Sequence, residues 1–507
     1  MKLSAPQEFQ LPDLHQLGLG TVQLPVQTLS TSYFDTEDLR LWQRRMTLRH
    51  RFGEDDGPGA WTLKLPGKET SREVHRTELS WPGGVAKVPS EATRLLQGTV
   101  RRQTLKRVVV LEAKRRRVLV RHGESALGEI DDDIVTVAGE GGTGRTFRQI
   151  EFEFDSDTQN IRTDPLVEKM LTALMEAGAH IDLEQKFAKA LGLDTNHRSL
   201  PATKLGRQST LGTLVQRTLR SDYERLLDFD VYLRLDPNEP PERAIHQARV
   251  STRRLRSDLK TFGPVLDPVW LRHTRSELQW MGTELGAVRD IDVLDQRLQS
   301  RSQTPGGSSG TVELRSKLAS ERRATSEELA HALRSDRYLN LLDRLDAGTS
   351  FPRFYNSPQS REGGDRRCGP SDPARRALPR LLRPHWKELR RRVTKAGSRP
   401  SDDQLHRIRI ASKQLRYGAE LAEPVLGKSA RRTARRAEDI QAILGDHHDS
   451  VTALEWLERV PTDGTTEASF VAGYKAADAR RQRSRTRRQW VRAWGALRSG
   501  RATDWLQ

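Results

Sequence analysis

Nine basic or imidazole side chains recur at helical spacing in the second half of this 507-residue sequence. His246, Arg249, Arg253, Arg256 and Lys260 follow one another at steps of 3, 4, 3 and 4, which lays all five along one stripe of a helix. His406, Arg409, Lys413 and Arg416 draw the same stripe again, with Glu420 in the fifth place. Ile245, Ala248, Leu255 and Leu259 mark the adjoining core face. Like charges one turn apart repel by a few tenths of a kcal/mol each, so the ladder needs a partner. A polyanion supplies one: arginine grips phosphate bidentately and histidine adds a titratable donor. A solvated basic face, or pairing with Asp290 and Asp449, is the alternative. Its recurrence, His-x-x-Arg first in both copies, favours the polyanion.

The first two hundred residues carry charge differently, on alternate positions. Thr47, Arg49 and Arg51 share one side of a hairpin arm, and Thr62 and Lys64 share a side of the other. Arg115 and Arg117 form a further pair, and Glu151 and Glu153 an acidic one. Each strand alone reads as the wet face of a half-buried sheet. Together they suggest a closed barrel lined with charge, whose cations hold a polyphosphate and whose carboxylates hold a divalent metal.

Two kinds of element must position these residues. Alternation over 46–52 and 61–65 around a Gly/Asp/Pro turn predicts a hairpin, and further strands are expected at 107–120, 130–137 and 147–154. A helix is expected over 164–177. From Leu211 onward the period is that of helices. This half repeats itself: Ile245–Val250 matches Leu405–Ile410 at a displacement of 160, and Glu284–Asp290 matches Ile443–Asp449 at 159. The expected organisation is a strand domain over 1–191, a linker over 192–210, and a helical domain over 211–507 with repeat halves near 211–300 and 374–460 and a basic C-terminal helix. Gly/Ser- and Gly/Pro-rich stretches at 303–310 and 348–373 read as flexible loops.

Composition narrows the partners. Lys and Arg number 86 against 68 Asp and Glu, a formal charge of +18, which suits a polyanion. The single cysteine, Cys368, excludes an intrachain disulfide framework. No window reaches the roughly 20 apolar residues of a membrane helix, and the first residues lack a signal-peptide run, so a cytoplasmic location is expected. Arg480–Arg488 and Arg431–Arg436 carry no nucleic-acid motif, although weak nonspecific nucleic-acid binding is expected at this charge. Asp446-His447-His448-Asp449 has metal-ligand residue types, but the other copy lacks the histidines. The glycine-rich stretches lack the Gly-Lys-Ser/Thr ending of a P-loop.

The helical half, from about Leu211 to Leu457, resembles the CHAD domain, the conserved-histidine α-helical domain built of two pseudo-symmetric four-helix bundles. The resemblance implies polyphosphate binding by His246, Arg249, Arg253, Arg256, Lys260, His406, Arg409, Lys413 and Arg416, with Arg254 and Arg289 as lesser candidates. The first half looks like a CYTH domain of the triphosphate tunnel metalloenzymes. The residues that carry this likeness are Tyr33–Thr36, Thr47–Arg51, Trp61–Lys64, Arg72-Glu73, Glu129–Asp133, Phe147–Glu153 and Lys186–Leu191. It implies an eight-stranded antiparallel tunnel, triphosphate held by Lys2, Arg49, Arg51, Lys64, Arg115 and Lys186, and Mg²⁺ or Mn²⁺ held by Glu151, Glu153 and Glu73.

Two features depart from that family: Glu73-Val74-His75 stands where a second carboxylate is expected, leaving a histidine ligand or a reduced site open, and the N-terminal motif is cut short. The family's Glu-x-Glu-x-Lys signature aligns with its lysine at Lys2, so both glutamates fall ahead of Met1; a start codon placed too far downstream is the simpler explanation, loss of two metal ligands the other. The expected function is metal-dependent hydrolysis of inorganic triphosphate or polyphosphate, joined to a polyphosphate-binding helical module and associated with polyphosphate granules. The rivals are a polyphosphate-binding protein with a degenerate tunnel and, behind it, an adenylate cyclase.

Overall fold

The computed structural model describes residues 1–54, 57–66, 68–69, 74–75, 77–138, 144–154, 165–182, 184–193, 204–299, 308–355, 368–460, 465–498 and 501–506. They form two compact units, Met1–Ala202 and Thr203–Gln507.

The first unit is an antiparallel sheet of β1 (Lys2–Ala5), β2 (Gly20–Asp35), β3 (Thr47–Phe52), β4 (Ala60–Lys64), β5 (Glu78–Pro82), β6 (Lys106–His122), β7 (Ser125–Ala138), β8 (Thr146–Phe154) and β9 (His180–Ile181). The spatial order is β9-β1-β8-β7-β6-β2-β3-β4-β5. The sheet thus has nine strands where eight were expected, and its edge strands β5 and β9 do not pair with each other among the described residues. The extra strand, His180–Ile181, is two residues long, too short to show any period. Four short helices accompany the sheet: α1 (Arg40–Gln43), α2 (Ser90–Val100), α3 (Pro165–Glu176) and α4 (Lys186–Leu191).

Alternation sorts the side chains to two faces. The outward set, Leu3, Val118, Val120, Ile130, Ile150 and Phe152, packs under Met170, Leu171 and Leu174 of α3. The opposite face is apolar near α4, where Leu29, Tyr33, Leu111, Val135 and Phe147 meet Phe187. Elsewhere that face carries the charge. The hairpin leaves β3 at Gly53, whose φ of +97° and 2.1 Å separation between an ideal Cβ and the Thr28 carbonyl oxygen exclude any side chain.

The second unit is helical: α5 (Leu211–Leu233), α6 (Glu242–Thr261), α7 (Pro268–Gln299), α8 (Ser308–Arg334) and α9 (Asp336–Ser350), then α10 (Ala374–Ala396), α11 (Asp402–Leu426), α12 (Lys428–Arg459) and α13 (Thr466–Arg498). The starts of α6 and α11, and of α7 and α12, are each 160 residues apart, the displacement of the sequence repeat. In each half four consecutive helices pack in order, and α6 meets α11 while α8 meets α13. α9 covers α5, and the final turn, Asp504–Leu506, takes the corresponding place on α10. One apolar core runs through both halves, from Tyr223 and Leu255 to Trp386, Leu415 and Leu444. Ser401 and Gln404 form a capping box that fixes the start of α11. Ser308–Gly310, expected in a loop, instead opens α8; Gly310 lies so close to the Glu467 backbone of α13 that a Cβ would sit 2.6 Å from it. No described helix is long and apolar enough to cross a membrane.

Charge divides unevenly between the units. Residues 1–202 hold 28 Lys and Arg against 29 Asp and Glu, a net −1, and residues 203–507 hold 58 against 39, a net +19.

Candidate functional site

In the strand unit, five elements bring the expected cations to one cavity of about 110 Å³, and a sixth brings two carboxylates. Its lining includes Lys2 of β1, Arg49 and Arg51 of β3, Lys64 of β4, Arg115 of β6 and Lys186 of α4, with Glu151 and Glu153 of β8. Register explains the convergence. Lys2 stands opposite Glu151, Arg49 between Tyr33 and Thr62, and Lys64 between Thr47 and Glu78. Residues two apart on each strand share the inner face, so a curved sheet presents them all to one space. Glu73 lies outside the described residues. Arg117, the other member of the Arg115 pair, is spent on Glu129 and does not line the cavity.

Acidic neighbours orient this set. Arg115 donates to both Asp133 oxygens at 2.8 and 2.9 Å and also reaches Asp131. Lys186 Nζ lies 2.6 Å from Asp133 and 3.4 Å from Glu151. Lys64 pairs with Glu78 and Arg51 with Glu54, both at 2.6 Å. Burial works against the Glu151 carboxylate, but Lys186, Lys2, Arg115 and Lys64 overcome it and hold its pKa far below the usual range. Burial, then Arg49, lowers the Lys64 ammonium, and burial with Arg51 beside it lowers Arg49. Burial pushes Asp131 up to about 7, with Arg115 opposing. The Arg49 Nε and both amide atoms of fully buried Gln149 have no hydrogen-bond partner among the described residues. Buried polar atoms of this kind are expensive unless a hydrogen-bond partner arrives.

Among the described residues no group of three or more His, Cys, Asp or Glu side chains is arranged to hold a metal ion. Glu151 and Glu153 nevertheless suit a hard divalent cation that keeps its waters and takes phosphate oxygens, since such an ion needs only one or two protein carboxylates.

In the helical unit the stripes converge at their N-terminal ends only. Arg249 and Arg409 line a small cavity of about 40 Å³ with Asp290, Arg297, His448 and Asp449. Arg253 and Lys413, one turn on, act electrostatically on the same group. His406 packs on His448 with ring centroids 4.6 Å apart. His246 opens α6 beside Arg289 and Arg253. Counter-charges are sparse: Arg249 is 3.2 Å from Asp290, and Arg297 is 3.9 Å from Asp449. Arg409 Nε and His406 Nδ1 have no hydrogen-bond partner among the described residues. Burial, reinforced by the neighbouring arginines, drives Lys413 down to about 6 and His448 down to about 4. It lowers His246, His406 and Arg409 as well. The cluster is a set of cations held together against repulsion, an arrangement an anion relieves.

The rest of the ladder goes elsewhere. Arg256 donates to Gln279, Arg416 pairs with Glu420 and Glu438, and Lys260 faces Glu388 and Arg392 of α10. Arg254 is a structural pair with Glu420 at 2.6 Å, and Arg289 is held by Glu242. α6 and α11 cross near these positions, with Arg253 donating to Tyr417 and Gln414 to the Ser257 carbonyl, so residues beyond the crossing diverge. His447 is also structural, bonded to Thr486 and Asp402, and Arg483 and Arg487 of the basic C-terminal run bind that same aspartate.

Sequence reasoning left several contributors without a role. Asp131 and Asp133 were part of an acidic run; strand alternation separates them from Asp132, which faces outward to Arg148 at 2.6 Å. His448 sits in the Asp446–Asp449 cluster of metal-ligand residue types, and its repeat counterpart, Arg289, lies beside His246.

Two family models match the chain: the CYTH domain over residues 1–178 and the CHAD domain over residues 217–458. Two uncharacterized proteins of Mycobacterium tuberculosis, from strains CDC 1551 / Oshkosh and ATCC 25618 / H37Rv, are each 31% identical over 475 residues, covering 89% of this chain and 86% of theirs. The crystal structure of the CHAD domain from the plant Ricinus communis is 25% identical, with a TM-score of 0.47, over 59% of this chain and 96% of that one. A Hippeastrum adenylyl cyclase structure, described as revealing a dominant triphosphatase activity, is 18% identical with a TM-score of 0.27, over 39% and 97%.

Proposed function

The chain belongs to the proteins that join a CYTH domain to a CHAD domain, and from that premise we propose that it hydrolyses inorganic triphosphate or polyphosphate in the strand unit and binds polyphosphate in the helical unit. The observation that carries the reading is the convergence of Lys2, Arg49, Arg51, Lys64, Arg115 and Lys186 with Glu151 and Glu153 on one cavity. Such a set neutralises a phosphate chain and leaves one edge acidic. Arg49, Arg51 and Lys64 would grip phosphate oxygens, while Arg115 and Lys186 are fixed in place by Asp133. Glu151 and Glu153 would hold Mg²⁺ or Mn²⁺ against the same oxygens. An ion held there would supply Lewis-acid neutralisation of the phosphate charge. In the proposed reaction a water oxygen bonds to the terminal phosphorus as the bridging P–O bond breaks, so that triphosphate and one water give phosphate and diphosphate and release a proton to solvent.

Phosphate release from inorganic triphosphate with Mg²⁺ or Mn²⁺ tests this. Lys64→Ala and Glu151→Ala are expected to lower the rate at least about a hundredfold, in the range seen when an electrostatic catalytic group is removed. A second reading, a tunnel that binds without turnover, has its own support, since among the described residues Glu151 and Glu153 are the only carboxylates that line the cavity. It predicts no phosphate release from the wild-type chain while long polyphosphate still binds.

A further inference from the structure

Helix α10 and its repeat counterpart α5 pack in the same place in their bundles, yet they differ sharply in charge. α10 carries nine Arg and Lys against one acid, Glu388, while α5 carries three Arg against four Asp and Glu. Both bury an apolar stripe of the same kind, Leu378, Leu382 and Leu389 on α10 and Leu214, Leu219 and Leu226 on α5. Packing therefore does not require the basic face.

That face is shaped as well as charged. Lys387, Arg390, Arg391 and Lys395 line a depression of about 440 Å³. Arg391 and Lys395 continue, with Arg392, Gln404 and Arg407, into a groove of about 240 Å³ between α10 and α11. Glu388 accepts from Arg391 at 2.8 Å and from Arg392 at 2.7 Å, and Asp403 lies 3.4 Å from Arg407. Lys387, Arg390 and Lys395 remain exposed. Like charges at these spacings repel, and no described acid offsets them all. Arg407 follows His406 directly, so the groove lies on the helix that also carries the central cluster.

We propose that the exposed face of α10, with the α10–α11 groove, is a second phosphate-chain track that takes the part of a long inorganic polyphosphate overrunning the cluster between α6 and α11. This rests on the reading that the helical unit binds polyphosphate. A linear phosphate chain needs cations at intervals and nothing else. Single-stranded nucleic acid takes aromatic platforms for its bases, but Trp386 is buried. A membrane surface takes exposed large apolar residues beside the cations, and α10 contributes none.

The test uses the full chain with inorganic polyphosphate of about ten and about one hundred phosphates, and a DNA duplex as a competing polyanion. Lys387→Ala, Arg390→Ala and Lys395→Ala together should weaken the long chain about tenfold, leave the short one within twofold, and reduce the salt slope for the long chain by about 2, some 0.7 per lost contact. Gln at the same three positions, which keeps more of the side-chain stems, should do the same at an unchanged melting temperature. Unchanged long-chain affinity and slope overturn the proposal. So does a loss confined to DNA, which would make the partner a nucleic acid. If Arg409→Ala binds both lengths like the wild type, the premise of a central site is what fails.

Discussion

Lys413 shows at the scale of one residue how the central cluster is poised for the phosphate chain proposed to bind there. It faces Arg409 on its own helix, Arg253 and Arg249 on α6, and Asp449 on α12, and its ammonium falls from 10.5 to about 6 through burial first and those arginines second. Between these values the unfolded chain holds a proton that the folded chain has released. This contribution to stability therefore grows as pH rises through that window and is lost as pH falls toward 6. A bound phosphate chain favours the charged lysine and raises its pKa, so binding draws a proton in. Polyphosphate affinity should strengthen as pH falls from about 8 to about 6, by up to about tenfold per unit for one proton taken up. His448, lowered to about 4 by burial and then Arg409, is neutral in the unliganded cluster through that range. Fluorescence anisotropy of labelled polyphosphate at three pH values reads the slope, and Lys413→Met should flatten it while binding persists. An equal slope in wild type and variant would mean that the proton goes elsewhere.

At the scale of elements, the two halves serve as controls for one another. Gly286 on α7 and Gly445 on α12 occupy matching positions, but an ideal Cβ on Gly286 would lie 2.7 Å from Arg249 Nη1, whereas one on Gly445 stays 3.9 Å from Arg409 Nε. Gly286→Ala should push the Arg249 guanidinium aside and weaken polyphosphate binding several-fold. Gly445→Ala should leave it unchanged. Each replaces a mid-helix glycine by the best helix former, worth up to about 1 kcal/mol, so neither melting temperature should fall; equal binding by the two variants would sink the prediction. The same repeat marks what could be read from the sequence. The histidine-led stripes and the alternating Arg49, Arg51 and Lys64 were legible because periods of 3.6 and 2 decide which face a residue occupies. The fates of Arg256, Lys260 and Arg416 were not, since they depend on where α6 and α11 cross, and a period on one helix does not encode that. Nor was the inward role of Asp131 and Asp133, because three consecutive aspartates look alike until a strand register separates them. Strand β9 escaped for want of length.

For the whole molecule, the formal charge of +18 belongs to one unit. The helical unit carries a net +19 and the strand unit a net −1. Within the helical unit the asymmetry continues, with residues 203–350 holding 24 Lys and Arg against 21 Asp and Glu and residues 351–507 holding 34 against 18. The tunnel is therefore cationic by arrangement, with its excess of inward lysine and arginine balanced by acids elsewhere on its own unit. The helical unit is cationic in bulk. These two routes respond differently to salt, because exposed charge is screened over about 8–10 Å near physiological ionic strength while buried charge is screened far less. Long polyphosphate should lose roughly thirtyfold in affinity between about 50 and 200 mM salt if three to four phosphates are neutralised at the central cluster alone, and more with the α10 track engaged as well. The KM for inorganic triphosphate should shift by less than about threefold over the same range, since of its proposed partners Arg51, Arg115 and Lys186 are buried and Arg49 is half-buried. Titrating both with one salt series on the same preparation gives the two slopes. A triphosphate KM as steep as polyphosphate binding would mean that the field of the helical unit, rather than the local ring of side chains, draws substrate to the tunnel.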